Sequence, residues 1–191
     1  VRNSGTIGGN IANGSPIGDM PPALIALGAH LTLRRGERRR TIALEDYFLD
    51  YGKQDRQAGE FVERVFVPAL DATDFVRIVK LSKRFDSDIS AVCVAVHLRM
   101  SDGIVTAARL AFGGMAGIPK RAVHAEATLS GKGFAPETLA EAAEALRADF
   151  APFSDVRGSS EYRLTVAGNI LKKLWFDYHA QGGGVLEVMN G

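Results

Sequence analysis

Five residues near the start, Thr6-Ile7-Gly8-Gly9-Asn10, combine groups that suit a bound phosphate. Adjacent glycines let the backbone approach a ligand closely and turn several N–H groups towards it, and such a nest favours an anion. Thr6 and Asn10 add side-chain donors. The segment is neither G-x-G-x-x-G nor a Walker loop closing on Gly-Lys-Ser/Thr, so Rossmann and P-loop assignments are set aside. On spacing alone a Gly-Gly pair between polar residues is more often a structural turn, and both readings stay open at this point.

Asp19 is the next candidate. It precedes Met20-Pro21-Pro22, where an acidic cap and proline in the first turn announce a helix. Its carboxylate can cap that helix, or accept hydrogen bonds from a sugar hydroxyl, or do both with different oxygens. The stretch from Lys80 to Ile89 reads as a loop between strands that packs cations, carboxylates and Phe85 together. Its plain reading is a solvated loop with surface ion pairs. Its sharper reading is a loop that faces a redox cofactor, tunes its potential and binds a second nucleotide.

Other reactive residues show no constellation. His30, His97, His124 and His179 lack metal spacing, and there is no H-E-x-x-H, G-x-S-x-G or paired nucleophile and base. Cys93, the single cysteine, lies in an alternating strand and reads as a small core residue. One thiol supports neither a disulfide framework nor an iron–sulfur cluster within this chain. Gly113-Gly114-Met115-Ala116-Gly117 reads as a structural turn, and the arginines from Arg34 to Arg40 as the exposed end of a hairpin.

These residues are carried by 191 residues with 46% apolar and 24% charged composition, ordinary for a globular protein and enough for one medium or two small domains. A net charge of +1 argues against a nucleic-acid binder driven by bulk charge. No apolar run approaches the roughly 20 residues of a membrane helix, and no secretory signal is seen. A cytoplasmic setting is expected. The chain opens on its glycine-rich segment without Met or a preceding strand, so a fragment or a processed chain is expected.

The elements follow from periodicity. Val1 to Asn13 reads as a glycine-rich loop, then a helix through Leu27 ending at Gly28, and a hairpin turning at Gly36-Glu37. Asp50 to Gly59 reads as loop, Glu60 to Pro68 as strand, and Ala69 to Asp74 as linker. Strands are expected from Asp74 and over Ser90 to Arg99, with Val92, Val94, Val96 and Leu98 on one face. Asp102-Gly103 signals a tight turn into a return strand with Ile104, Thr106, Ala108, Leu110 and Phe112 on one face. Helices are expected from near Pro119, over Pro136 to Phe150, and from near Ser160 through Tyr178. The tail GGGVLEVMNG is expected to be mobile.

The residues also carry a resemblance. RNSGTIGGNIANGSPIGDMPPALIALGAHLTL is similar to the second FAD-binding segment of the xanthine dehydrogenase flavoprotein family, among the molybdenum hydroxylases. KLSKRFDSDISAV, LAFGGMAGIPKRA and SSEYRLTVAGNIL match the same family in the same order, from Val1 to about Tyr178. The DSDISAV and FGGMAGIPKRA segments resemble the bacterial small subunit most, and carbon monoxide dehydrogenase medium subunits less. The resemblance implies an α+β fold. Residues 1–69 would be the later part of a vanillyl-alcohol-oxidase-type FAD-binding domain. Residues 73–178 would form a C-terminal domain with a short antiparallel sheet and covering helices, and 179–191 a flexible tail.

It also implies sites. Thr6, Ile7, Gly8, Gly9 and Asn10 would hold the FAD pyrophosphate, chiefly through backbone N–H groups. Asp19, Val62 and Lys80 fall on FAD-contact positions, and Asp88 and Ile89 would shape the flavin environment. No residue would act as acid or base on the substrate. Electrons from purine oxidation at a molybdenum cofactor would pass through 2Fe-2S clusters to FAD and on to NAD+. The clusters and molybdenum would lie outside this chain, on an upstream FAD/iron–sulfur segment and a molybdenum-binding large subunit of a hetero-oligomer. The family's first glycine-rich phosphate segment is absent here, so a companion portion is expected to complete the site. Two other readings remain: another molybdenum hydroxylase acting on an aldehyde, a nicotinate-like ring or carbon monoxide, and a non-catalytic assembly module.

Overall fold

The structure, a computed structural model, describes residues 4–85 and 87–180. Asp86 and the glycine-rich tail from 182 onward lie outside the described residues, while His179 and Ala180 continue the last helix. The fold is α+β, with a first unit around a three-stranded sheet followed by a second unit around a four-stranded sheet.

The glycine-rich start is not a loop. Ile7–Ala12 form a short helix, α1. Helix α2 covers Met20–Ala26 and buries every residue from Pro21 to Ala26. A helix apolar all round must be covered on all sides, and burying Leu24 and Ile25 contributes about 1.5–3 kcal/mol each. Gly28, at φ +71°, releases the chain into β1, His30–Arg35. Leu31 and Leu33 of β1 are fully buried, and β2, Arg38–Ala43, returns antiparallel after Gly36.

A 3-10 turn over Leu44–Tyr47 follows, then β3, Phe48–Asp50, and β4, Lys53–Gln54. Part of the expected loop after Asp50 is therefore a small hairpin, closed by Gly52. Strand β5, Phe61–Phe66, pairs with the other edge of β1, giving the order β2-β1-β5.

The second sheet runs in the order β6-β7-β8-β9: Asp74–Leu81, Val92–Ser101, Ile104–Gly113 and Lys120–Arg121. Lys80 and Leu81 thus end a strand and do not belong to the loop. As expected, Val92, Val94, Val96 and Leu98 share one core, with Leu110 and Phe112. The start of β8 departs from the simple alternation. A register shift falls opposite Arg99 and Met100, and Val105 is buried while Ile104 and Thr106 are exposed. One extra residue in a strand sends the side chains beyond it to the opposite face.

The helix expected from Pro119 begins later, as α3, Val123–Leu129, because Lys120 and Arg121 pair with β8 first. Ala122 at its N-cap offers no side-chain acceptor. Asp149 supplies one from the far end of α4, Pro136–Asp149, accepting the N–H groups of His124 at 3.0 Å and Ala125 at 3.1 Å. Helix α5, Ser160–Ala180, buries Arg163, Ala167, Gly168, Leu171 and Leu174.

The two units share a core across the second sheet. One face of that sheet packs on α3, α4 and α5. Ala95 and Ala111, paired directly across β7 and β8, face the first unit with Ile25, Ala26 and Leu31. Arg109 donates to Ile25 O at 2.8 Å and to Glu45 at 2.5 Å, and Arg121 to Glu45 at 3.0 Å.

Candidate functional site

Helix α1 begins with Thr6 in an extended conformation. Its Oγ1 accepts the Gly9 N–H at 2.9 Å, and its carbonyl accepts the Asn10 N–H at 3.0 Å. Helical geometry leaves the Ile7 and Gly8 N–H groups without an intrahelical acceptor, pointing outward from the helix start. The expected nest is therefore a capped helical turn. Neither Gly8 nor Gly9 has a positive φ. Space limits Gly9, where a Cβ would lie 2.8 Å from Thr6 Oγ1; a Cβ on Gly8 would make ordinary contact with the Val62 carbonyl and side chain at 3.9 Å. Val62 of β5 thus stands directly against the glycine turn.

Asp19 occupies the position before α2 but makes no side-chain cap. Its carboxylate is engaged across the two units. Oδ2 accepts from Lys80 Nζ at 2.7 Å, and Oδ1 from the Ser90 hydroxyl. Lys80 Nζ also donates to the Asp88 carbonyl at 2.7 Å. The Asp88 carboxylate accepts the Arg84 N–H at 2.8 Å, and this bond foremost holds its pKa below the usual carboxylate range. The link to α1 runs through Gly18, where an added Cβ would sit 3.5 Å from Asn10 Oδ1.

Val62 thus stands against the Thr6–Asn10 turn, and hydrogen bonds join Asp19, through Lys80, to Asp88. Ile89 follows it, 44% exposed, and lines an open cleft of about 310 Å³ with Lys83, Asp88 and Val156. Cys93 lies beneath, with its sulfur 3.8 Å from Asp19 O, and burial pushes its thiol up to about 12. It is an inert core group. Sequence reasoning missed Ser90 and Arg163. Ser90 lies two residues before β7 and is 1% exposed. Arg163 is a charged residue on the apolar stripe of α5, and that misfit was the available signal.

No group of three or more potential metal ligands occurs among the described residues. No described helix is long and apolar enough to cross a membrane.

Residues 77–177 match the CO dehydrogenase flavoprotein C-terminal domain, and residues 1–70 the FAD binding domain in molybdopterin dehydrogenase. The chain belongs to the CO dehydrogenase flavoprotein family. Its relatives within the molybdenum hydroxylases include the glyceraldehyde dehydrogenase medium chain of Sulfolobus acidocaldarius, 34% identical over 87% of this chain and 58% of that one. A putative xanthine dehydrogenase FAD-binding subunit of Escherichia coli is 30% identical over 98% of this chain and 64% of that one. A solved carbon monoxide dehydrogenase from Hydrogenophaga pseudoflava superposes with a TM-score of 0.85 at 36% identity, covering 90% of this chain and 60% of that one. The chain thus spans about three-fifths of the length of these flavoprotein relatives. Over the chain as a whole, the carbon monoxide dehydrogenase medium chain of Hydrogenophaga pseudoflava is 34% identical over 91% of this chain, so whole-chain identity does not single out the xanthine dehydrogenases.

Proposed function

We propose that this chain is the later portion of an FAD-carrying unit in a molybdenum hydroxylase, where it helps hold the flavin that relays electrons from iron–sulfur clusters. The observation that carries this reading is the juxtaposition of the Thr6–Asn10 turn with Val62, inside the stretch that matches an FAD-binding domain. The donors fit a pyrophosphate: two outward N–H groups at a helix start favour negative charge, and Gly8 and Gly9 keep side chains off that surface. Asp19 and Lys80 extend the same surface towards Asp88 and Ile89. When bound, FAD would supply electron transfer between a one-electron and a two-electron partner. The chain's own residues would bind it, orient it and set the charge around it.

The finer assignment has two forms. The DSDISAV and FGGMAGIPKRA segments support a xanthine dehydrogenase, with purine oxidation coupled to NAD+. The identities of 34% and 36% to glyceraldehyde and carbon monoxide dehydrogenases support an aldehyde- or carbon-monoxide-oxidising complex at least as well. In either form the molybdenum cofactor would lie on a large subunit of a hetero-oligomer and the 2Fe-2S clusters on an upstream FAD/iron–sulfur segment or a partner subunit. Assaying the assembled complex on xanthine, glyceraldehyde and carbon monoxide, with and without NAD+, separates them.

The flavin assignment is tested by Gly9→Val in the assembled flavoprotein. The added branches displace Thr6 Oγ1 and cover the N–H groups, so oxidised-flavin absorbance should be lost from a complex that still assembles. Normal flavin content would remove the glycine turn from the site and leave an assembly role for the chain.

A further inference from the structure

Arg163 is 1% exposed, and its guanidinium joins three segments that are far apart in sequence. Nη1 donates to the carbonyl of Ala91 and, at 2.8 Å, to that of Gly114; Nη2 donates to Asp155 Oδ1 at 2.6 Å. Ala91 closes the loop that bears Asp88 and Ile89, since its N–H donates to Leu81 O at 2.8 Å. Gly114 belongs to the turn after β8, and Asp155 to the connection between α4 and α5.

Each partner is shaped for this contact. Gly114 holds φ +78°, and a Cβ there would lie 2.4 Å from Ala91 O and 3.0 Å from Arg163 Nη1. The glycine lets two carbonyls converge on one guanidinium. Asp155 also accepts the Arg157 N–H at 2.7 Å. Burial pushes its carboxyl up, but that bond and the one from Arg163 outweigh burial and hold it ionised. A second tie runs beside the first, from Lys83 Nζ to Val156 O at 2.6 Å. The open cleft lies between these two segments, with Arg163 behind it.

We infer that Arg163 is a positioning residue that holds Ser87–Ala91 in place from behind and thereby sets the surroundings of the flavin. This inference rests on the flavin reading above. A buried arginine can do this because its planar fork directs several donors at fixed angles, which a lysine cannot reproduce. Loss of the fork frees Ala91 O and Gly114 O while leaving the apolar stripe of α5 intact.

The test is Arg163→Lys in the complete flavoprotein complex. Amide exchange at Ser87–Ala91 and at Asp155–Gly158 should accelerate at least about tenfold, with α5 beyond Ala167 and strand β7 unchanged. The flavin absorption envelope and midpoint potential should shift while flavin content stays near normal. Unchanged exchange at Ser87–Ala91 would overturn the clamp. Faster exchange with an unchanged flavin spectrum and potential would overturn its link to the flavin. A wild-type complex without flavin would instead defeat the flavin reading and that link, and exchange would still decide the clamp. Asp155→Asn serves if Arg163→Lys does not fold: it keeps the packing, removes the counter-charge and should give the same pattern in weaker form.

Discussion

At the residue scale, the site is built by small residues that make room and by charged residues that bridge. Gly9 makes room for the hydroxyl of Thr6, and Gly114 for the carbonyl of Ala91. The sequence marks both as members of Gly-Gly pairs, but it does not distinguish their reasons. At Gly9 the limit is space alone. At Gly114 it is space and a left-handed backbone together. Gly114→Ala should therefore lower stability by at least about 1–2 kcal/mol, the penalty of a left-handed residue with a Cβ. It would be read as a lower urea midpoint at an unchanged slope. A neutral result would mean that the turn relaxes and that the carbonyls do not need to converge there. Asp19, expected to cap a helix, is instead spent on Lys80 and Ser90, since each of its oxygens faces the second unit.

At the element scale, the hairpin of β1 and β2 carries its arginines against acidic partners brought in by β5 and its approach. Arg40 bonds Glu60 through Nε at 2.9 Å and Nη2 at 2.8 Å, and Asp55 through Nη1 at 2.6 Å. The hydrogen bonds from Arg40 foremost, then the Gln57 N–H, hold Glu60 down at about 2. The folded carboxyl thus binds its proton more weakly than the unfolded one. The stability it contributes is complete above the ordinary glutamate range, about 4.5, and disappears as pH falls through about 2. Glu60→Gln should lower the urea midpoint at neutral pH and flatten its decline between those limits. A decline as steep as in the unmutated protein would assign acid sensitivity to other carboxylates. The hairpin itself was legible from Leu31, Leu33 and Gly36, but these cross-strand partners were not. They depend on β5 pairing with β1, which alternation cannot specify.

At the scale of the whole molecule, the second sheet is buried on both faces, and this explains the small residues along its inner strands. Ala95 and Ala111 are fully buried where α2 lies against β7 and β8. Larger side chains would hold the first unit away from the sheet and stretch the bonds from Arg109 to Ile25 and Glu45. Ala111→Leu should cost about 1–3 kcal/mol by overpacking. Unfolding should begin to separate into two transitions as the shared core is pried open. A single transition at an unchanged midpoint would show that α2 can retreat without loss. The line from Asp19 to Lys80 crosses the same boundary, so this substitution should also weaken flavin retention if the flavin reading holds.

The sequence by itself determined the α+β class, the alternating strands, the helix stripe of α4 and α5, and the order of the motifs that carry the family resemblance. Those features are local, or periodic over a few residues, and apolar periodicity is set by the one face each element must bury. Only the tertiary structure decided that Thr6–Asn10 is a helical turn, that Val105 replaces Ile104 and Thr106 in the core, and that Asp149 caps α3 from the far end of α4. It also decided that Asp19, Lys80 and Asp88 meet, and that Arg163 is buried among carbonyls. Each of these depends on groups distant along the chain and close in space, and an unpaired buried donor or carboxylate is too costly for such pairings to be left to chance.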